Sequence, residues 1–328
     1  MGRHNSSLKF QLHERMQNLV CFGQSKHIAK AEYKEYCKDN NIKYNPSKTV
    51  GIHSINTYNS YKQTSTEFEK WLKTNTDIKS INEIDKPTVI SFLKERQDNG
   101  FSAYTVSKDM SALNKLLNLD VTKKEANLTQ RSYKSVTRSR QEHEHDHKYN
   151  AQNYSNQITI AQAFGLRRES INGGEYQLKD ISLYKSTNGD IRACVIEKGG
   201  RYREAPCLKA YQQQINQLYP NIRTVDVKSN QVAYTKEEFK NIYNTSNNKM
   251  FDEYTSKIDN HAFRGQYADR LYEELRQGQN IVPGYNSSQY SNDIGTIKGY
   301  DKQTCRQVSL ALGHNRISVV TQHYLGQH

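Results

Sequence analysis

Hydrophobic residues recur at helical spacing along the first third of the chain. Leu8, Leu12, Met16, Leu19 and Val20 fall three and four positions apart behind Ser6 and Ser7. Serine there accepts a first-turn amide hydrogen bond, so the pattern predicts a capped helix. Ile28, Tyr33, Tyr36 and Cys37 suggest a second short helix, and Ile55, Tyr58, Phe68, Trp71 and Leu72 a longer one. Asp85-Lys86-Pro87 opens a further helix carrying Val89, Ile90, Phe92 and Leu93. Proline is tolerated there because first-turn amides have no intrahelical acceptor. Asn99-Gly100 closes it, and Ser102 caps the next, with Met110, Leu113, Leu116 and Leu117 on one face.

The pattern changes in the second half. Ile158 to Phe164 is helix-like. Ile181–Tyr184, Ile191–Ile196 and Arg203–Cys207 are short strand candidates, with turns at Asn188-Gly189 and Gly199-Gly200. Helices return at Lys209–Leu218, Lys236–Tyr243 and Asp259–Gln277, the last with Phe263, Tyr267, Leu271 and Leu275 on one face. Residues 278–300, rich in Gly, Asn, Ser and Tyr, read as a loop. The predicted class is mainly α with a small antiparallel β-sheet, an α+β chain.

Composition modifies this picture in two ways. Leu, Ile, Val and Phe make up about a fifth of the 328 residues, near the level at which charged chains lose their cores. Twenty-three tyrosines supply buried area that this count misses. The net charge is +13, and both halves are basic, so a polyanion is the first partner to consider. No run approaches the roughly 18 apolar residues that spanning a bilayer needs, so a membrane role is not expected. Five widely spaced cysteines, none in a Cys-x-x-Cys pair, fit a reducing cytoplasm better than a disulfide framework. Between Lys123 and Arg140 six basic residues accompany one acidic one. His143, His145 and His147 alternate just beyond, and such loops usually bind nothing, so no metal is expected.

Four short segments carry candidate chemistry. They are Gly165-Leu166-Arg167-Arg168-Glu169, Glu197-Lys198-Gly199-Gly200-Arg201, His261-Ala262-Phe263-Arg264, and Leu312-Gly313-His314 followed by Thr321-Gln322-His323-Tyr324. His261 and Arg264, three apart, share one helix face. Taken in order, the segments resemble the tyrosine recombinases, the family of phage integrases and Xer-type enzymes. The resemblance covers about residues 53–328.

The resemblance implies a helical SAM-like core-binding domain over 53–118 and a catalytic domain over 151–328. The basic stretch 119–150 is read as a linker between them. Residues 1–52 form an N-terminal helical segment, belonging either to the DNA-binding domain or to a subunit contact. It further implies strand cleavage without metal, ATP or other cofactor. Tyr324 would be the nucleophile, attacking a backbone phosphate as the 5′-oxygen leaves. Arg167 and Arg264 would clamp phosphate oxygens with forked donors, which lysine cannot supply. His261 resembles the acid/base histidine, His314 a hydrogen-bond donor to the phosphate, and Lys198 the hairpin lysine that protonates the departing oxygen.

Lys123, Lys124, Arg131, Lys134, Arg138, Arg140, Arg168 and Arg201 are the candidate DNA-contacting cations. The expected partner is double-stranded DNA with specific recombination sites, held by a homotetramer that assembles from monomers. A directionality factor is left open, and so is the choice of mobile-element integrase, transposon recombinase or resolvase, the first two being favoured. The expected location is the bacterial cytoplasm, at the nucleoid. A type IB topoisomerase and a catalytically silent DNA-binding regulator are the alternatives.

Three departures from the family pattern stand out. Ser170 occupies a position where the family often has glutamate, and Glu169 precedes it. His314 and Tyr324 lie one residue further apart than is usual. Arg264 and His314 are separated well beyond the usual spacing, with the excess near 278–303, expected to be a disordered loop that is either inert, the favoured reading, or in contact with DNA or a neighbouring subunit.

Overall fold

A computed structural model of the chain describes residues 7–132, 150–172, 183–197, 201–245 and 260–326. They belong to two units, Met1–Val136 and Thr137–His328. Among the described residues no helix is long and apolar enough to cross a membrane.

Side-chain caps set the helix starts of the first unit. Helices α1 (Leu8–Gln17), α2 (Lys26–Asp39), α3 (Ile55–Asn75), α4 (Lys86–Asp98) and α5 (Ala103–Leu117) begin after Ser7, Ser25, Ser54, Asp85 and Ser102. Each capping oxygen accepts an amide from the first turn, which stabilises a helix by about 1 kcal/mol. Gly100 (φ +80°) ends α4, with the Phe101 amide donating to the Arg96 carbonyl at 3.2 Å. Leu8, Phe68, Leu72, Val89, Phe92, Leu93, Val106 and Leu113 form the core that α1, α3, α4 and α5 share. Met16, Ile52 and Leu116 make a smaller cluster beside it. The N-terminal helix α1 is thus packed into this unit.

The chain after α5 differs from the linker expected over 119–150. Val121, Ala126 and Leu128 are buried in the first unit's core. Asn114 holds Val121 at both its amide and its carbonyl, and the Thr129 amide donates to Gln97. Three apolar residues scattered among charges have no helical period, so sequence reading missed their burial. Residues 133–149, with Lys134, Arg138, Arg140 and the alternating histidines, lie outside the described residues.

The second unit is mixed. It comprises α6 (Ser155–Phe164), α7 (Arg168–Asn172), β1 (Leu183–Lys185), β2 (Ile191–Glu197), β3 (Arg201–Pro206), α8 (Gln212–Leu218), β4 (Arg223–Thr224), α9 (Lys236–Thr245) and α10 (Asn260–Arg276). After α10 come β5 (Thr296–Ile297), β6 (Tyr300–Asp301), α11 (Lys302–Ala311) and α12 (Ile317–His323). The main sheet has the order β3-β2-β1-β4. Strands β1, β2 and β3 are antiparallel, as expected. The unforeseen β4 pairs parallel to β1 and is too short to show any alternation. Ile191, Ala193 and Val195 of β2, with Ala205 of β3, face a core shared with Ile160, Ala163 and Phe164 of α6. A second core joins α10, α11 and α12 through Tyr267, Leu271, Val308, Leu312 and Val320.

The segment 278–303 is ordered, against expectation. Val282 is buried, the Tyr285 and Tyr290 rings stack at 5.8 Å, and Arg306 pairs with Asp293 at 2.6 Å. The β5–β6 pair turns through Lys298 and Gly299, both at positive φ. Aromatic stacking and one ion pair hold this segment, and neither has a sequence period.

Candidate active site

Two helix ends and one strand end meet in the second unit. Helix α6 stops at Gly165, whose φ of +58° suits glycine. A Cβ there would lie 2.4 Å from the Tyr267 ring, so the space also requires glycine. Helix α11 stops in a motif built on Gly313 (φ +69°). The Gly313 amide donates to Leu310 and the His314 amide to Ser309, at 2.8 and 2.7 Å. This turn places His314. Tyr324 follows the last residue of α12, with its amide on the Val320 carbonyl. His261 and Arg264 lie in the first two turns of α10.

These elements gather four of the sequence-predicted residues, Arg167, His261, Arg264 and His314, around the phenol of a fifth, Tyr324. The His314 Nε2 and Tyr324 Oη atoms share a hydrogen bond of 3.3 Å, its direction set by the imidazole tautomer. The His261 ring centroid is 5.4 Å from that of Tyr324, and the Arg264 guanidinium carbon is 5.9 Å from the same ring. Arg264 is buried, and Tyr324 is only 4% exposed. Burial, then the charges of Arg264, Arg167 and Arg203, push the His314 imidazole down to about 3, against the pull of Glu197. His314 is therefore neutral near pH 7, and one ring nitrogen remains an acceptor.

The arginines are held by backbone carbonyls and by one carboxylate. Arg264 donates from Nη1 to the Gly165 carbonyl and from Nη2 to the Leu312 carbonyl. Both acceptors lie at helix C-termini, where the dipole favours a cation. The buried Arg264 Nε has no hydrogen-bond partner among the described residues. Arg167 donates from its backbone amide to Glu197 Oε1 at 3.1 Å and from Nη1 to Glu197 Oε2. Burial and Arg264 push the Arg167 guanidinium down from its usual range, while Glu197 opposes this. Arg203 grips Glu197 with both arms, Nε to Oε2 at 3.1 Å and Nη2 to Oε1 at 3.0 Å. Three guanidiniums thus surround one carboxylate, leaving a surplus of positive charge beside the phenol.

Comparison with known proteins bears on the first unit. Residues 50–124 match the family described as phage integrase, N-terminal SAM-like domain. The first unit therefore carries a SAM-like domain of the phage-integrase type. Among solved structures, the Tn1549 transposon integrase bound to transposon right end DNA matches at 13% identity and a TM-score of 0.39. That match covers 92% of this chain and 95% of the other. XerH site-specific recombinase bound to a palindromic difH substrate, in a post-cleavage complex, matches at 16% identity and a TM-score of 0.44. It covers 96% of this chain and 90% of the other. No curated protein matches the chain.

The remaining candidates fall in different places. Lys198 lies outside the described residues. Arg168, Lys124 and Arg131 are exposed, Lys123 is half-buried, and the Arg131 guanidinium sits 5.5 Å from the Tyr104 ring centroid. Arg201 gives one donor to the Gly313 carbonyl at 2.8 Å, so part of its role is to tie β3 to the turn before His314. Among the described residues no three His, Cys, Asp or Glu side chains form a group that could hold a metal ion.

Sequence reading missed Glu197 and Arg203. A signal for both exists. The inward-facing residues of β2 run Ile191, Ala193, Val195, Glu197, and those of β3 run Arg203, Ala205. Ionisable residues that continue the apolar face of two paired strands must find each other or a ligand.

Proposed function

We propose that this chain is a site-specific DNA recombinase that cuts and rejoins DNA through a 3′-phosphotyrosine at Tyr324. The supporting observation is the gathering of Arg167, Arg264, His261 and His314 around a nearly buried phenol. The Arg264 Nε–H, unpartnered among the described residues, adds weight, because a buried donor without an acceptor suits an arriving anion.

In the cleavage step the Tyr324 oxygen bonds to phosphorus and the P–O5′ bond breaks. The phenol proton passes to a base and the departing 5′-oxygen takes up a proton, so no energy source is consumed. Arg167 and Arg264 stabilise the charge that develops on the phosphate oxygens. His261 serves as acid/base, neutral His314 donates a hydrogen bond to the phosphate, and Lys198 protonates the 5′-oxygen. Rejoining reverses these transfers on a different strand. Four subunits would hold two sites, and integration or excision of a mobile element is the role favoured. A soluble protein at bacterial DNA is the matching location.

The test needs no knowledge of the site. The full chain is mixed with nicked duplexes of randomised sequence, and the DNA captured covalently is separated under denaturing conditions and sequenced. A short cleaved fragment leaves at the nick and traps the adduct. The expected result is an adduct that maps to Tyr324 and is absent from Tyr324→Phe, which still binds DNA. Tight DNA binding without any adduct overturns the enzymatic reading in favour of a silent regulator. An adduct with supercoil relaxation, but no exchange between two captured sites, points to a topoisomerase.

A further inference from the structure

The buried carboxylate beside the phosphate clamp has no part in the steps above. Glu197 nevertheless touches every arginine there. It accepts from Arg167 at both backbone and side chain, from both arms of Arg203, and lies 3.6 Å from Arg264 Nη1. Ser170 Oγ also donates to its Oε1, at 3.3 Å. This serine is the residue that departs from the family pattern, standing where a glutamate is common.

We infer that Glu197 is the positioning carboxylate of the site, supplied by strand β2 in place of an acid at position 170 on α7. The inference rests on the recombinase reading of the preceding section. Its physical basis is Coulombic. Three guanidiniums in a water-poor pocket repel one another, and their mutual spacing is set by whatever anion lies between them. Glu197 is that anion when no DNA is bound.

Arg203 makes the carboxylate rigid. Its forked grip fixes both oxygens, while its other donors reach the Phe164, Gly165 and Ala311 carbonyls. Both helix ends that hold Arg264 are therefore linked to Glu197 through Arg203. Burial raises the Glu197 carboxyl, and Arg203, Arg264 and Arg167 outweigh it, keeping the group well below the usual carboxylate range. The carboxylate stays ionised throughout the neutral range. It cannot serve as a proton donor, which leaves positioning as its role.

The experiment moves the carboxylate instead of only deleting it. DNA affinity and single-turnover adduct formation are measured on a captured nicked duplex. Glu197→Ala and Glu197→Gln should leave affinity unchanged and slow adduct formation by about 100-fold, the scale of a 1 Å misplacement. Adding Ser170→Glu to Glu197→Ala should restore the rate at least about tenfold, because the alanine vacates the volume that the new side chain needs. Glu197→Asp keeps the charge with a shorter reach, so it should fold and cleave slowly. Wild-type rates in the Gln or Asp variant overturn the inference. So does a folded Glu197→Ala, Ser170→Glu protein with no recovery. Absence of a Tyr324 adduct in the unaltered chain removes the functional reading itself, whereas a normal adduct with insensitive variants removes only the role of Glu197.

Discussion

A guanidinium offers several donors in one plane, and Arg264 divides them between two tasks. Two arms hold the carbonyls of Gly165 and Leu312, and the buried Nε–H has no partner among the described residues. His314 faces the same charges and answers differently. Surrounded by guanidiniums and burial, it remains neutral with its imidazole pushed down to about 3. The unfolded chain takes up that proton near pH 6.5, so folding excludes a proton below that point. The stability that His314 contributes is full above about pH 6.5 and is lost as pH falls toward 3. Glu197 acts with the same sign in the more acid range, since its folded carboxyl also lies below its unfolded value. Urea unfolding at a series of pH values should therefore show stability falling from pH 6.5 downward. His314→Gln should flatten the segment between about pH 6.5 and 4.5. An unchanged slope in that variant would place the proton uptake elsewhere.

Elements are joined here mostly at their ends. Gly165 closes α6, carries the carbonyl that Arg264 and Arg203 share, and lies against Tyr267. Gly165→Ala combines positive-φ strain with a Cβ 2.4 Å from the ring. A loss of about 2 to 4 kcal/mol is expected in chemical denaturation, from strain and overpacking together. A loss under 1 kcal/mol would mean that the ring moves freely.

Such element ends were the most legible part of the sequence. Ser7, Asp85, Ser102 and the Asn99-Gly100 stop are local signals, as is Leu312-Gly313-His314. The motif residues Arg167, His261, Arg264, His314 and Tyr324 were readable as a set in order, although no single one was. What escaped was non-local. Glu197 and Arg203 matter through partners on α6, α7, α10 and α11. Val121, Ala126 and Leu128 are buried by contacts that no period encodes. The ordering of 278–303 depends on Tyr285, Tyr290, Asp293 and Arg306 meeting across a fold.

Over the whole molecule, charge is the property that reaches furthest. The chain carries a net +13, and Lys124 and Arg131 of the first unit are exposed. If these cations neutralise DNA phosphates, each contact releases counterions, and log affinity falls by about 0.9 per contact for each decade of salt. Replacing Lys124 and Arg131 by glutamine should make the salt slope shallower by about 2, with little change in which captured sequences are preferred. A slope identical to that of the unaltered chain would move the DNA-contacting surface of this unit away from those two residues.

The arginine bridge between Gly165 and Leu312 uses acceptors that every amino acid possesses. A carbonyl oxygen carries no sequence information. The grip on Arg264 therefore sets no side-chain identity by itself in the last turns of α6 and α11; Gly165 is fixed instead by its positive φ and the Tyr267 ring, and Phe164 and Leu312 by burial. The two turns cannot gain or lose a residue, because a single inserted residue rotates each terminal carbonyl by about 100° around its helix. Reading frames of substitution and of length thus separate at this site. The two carbonyls themselves tolerate different letters, and they tolerate a different count hardly at all.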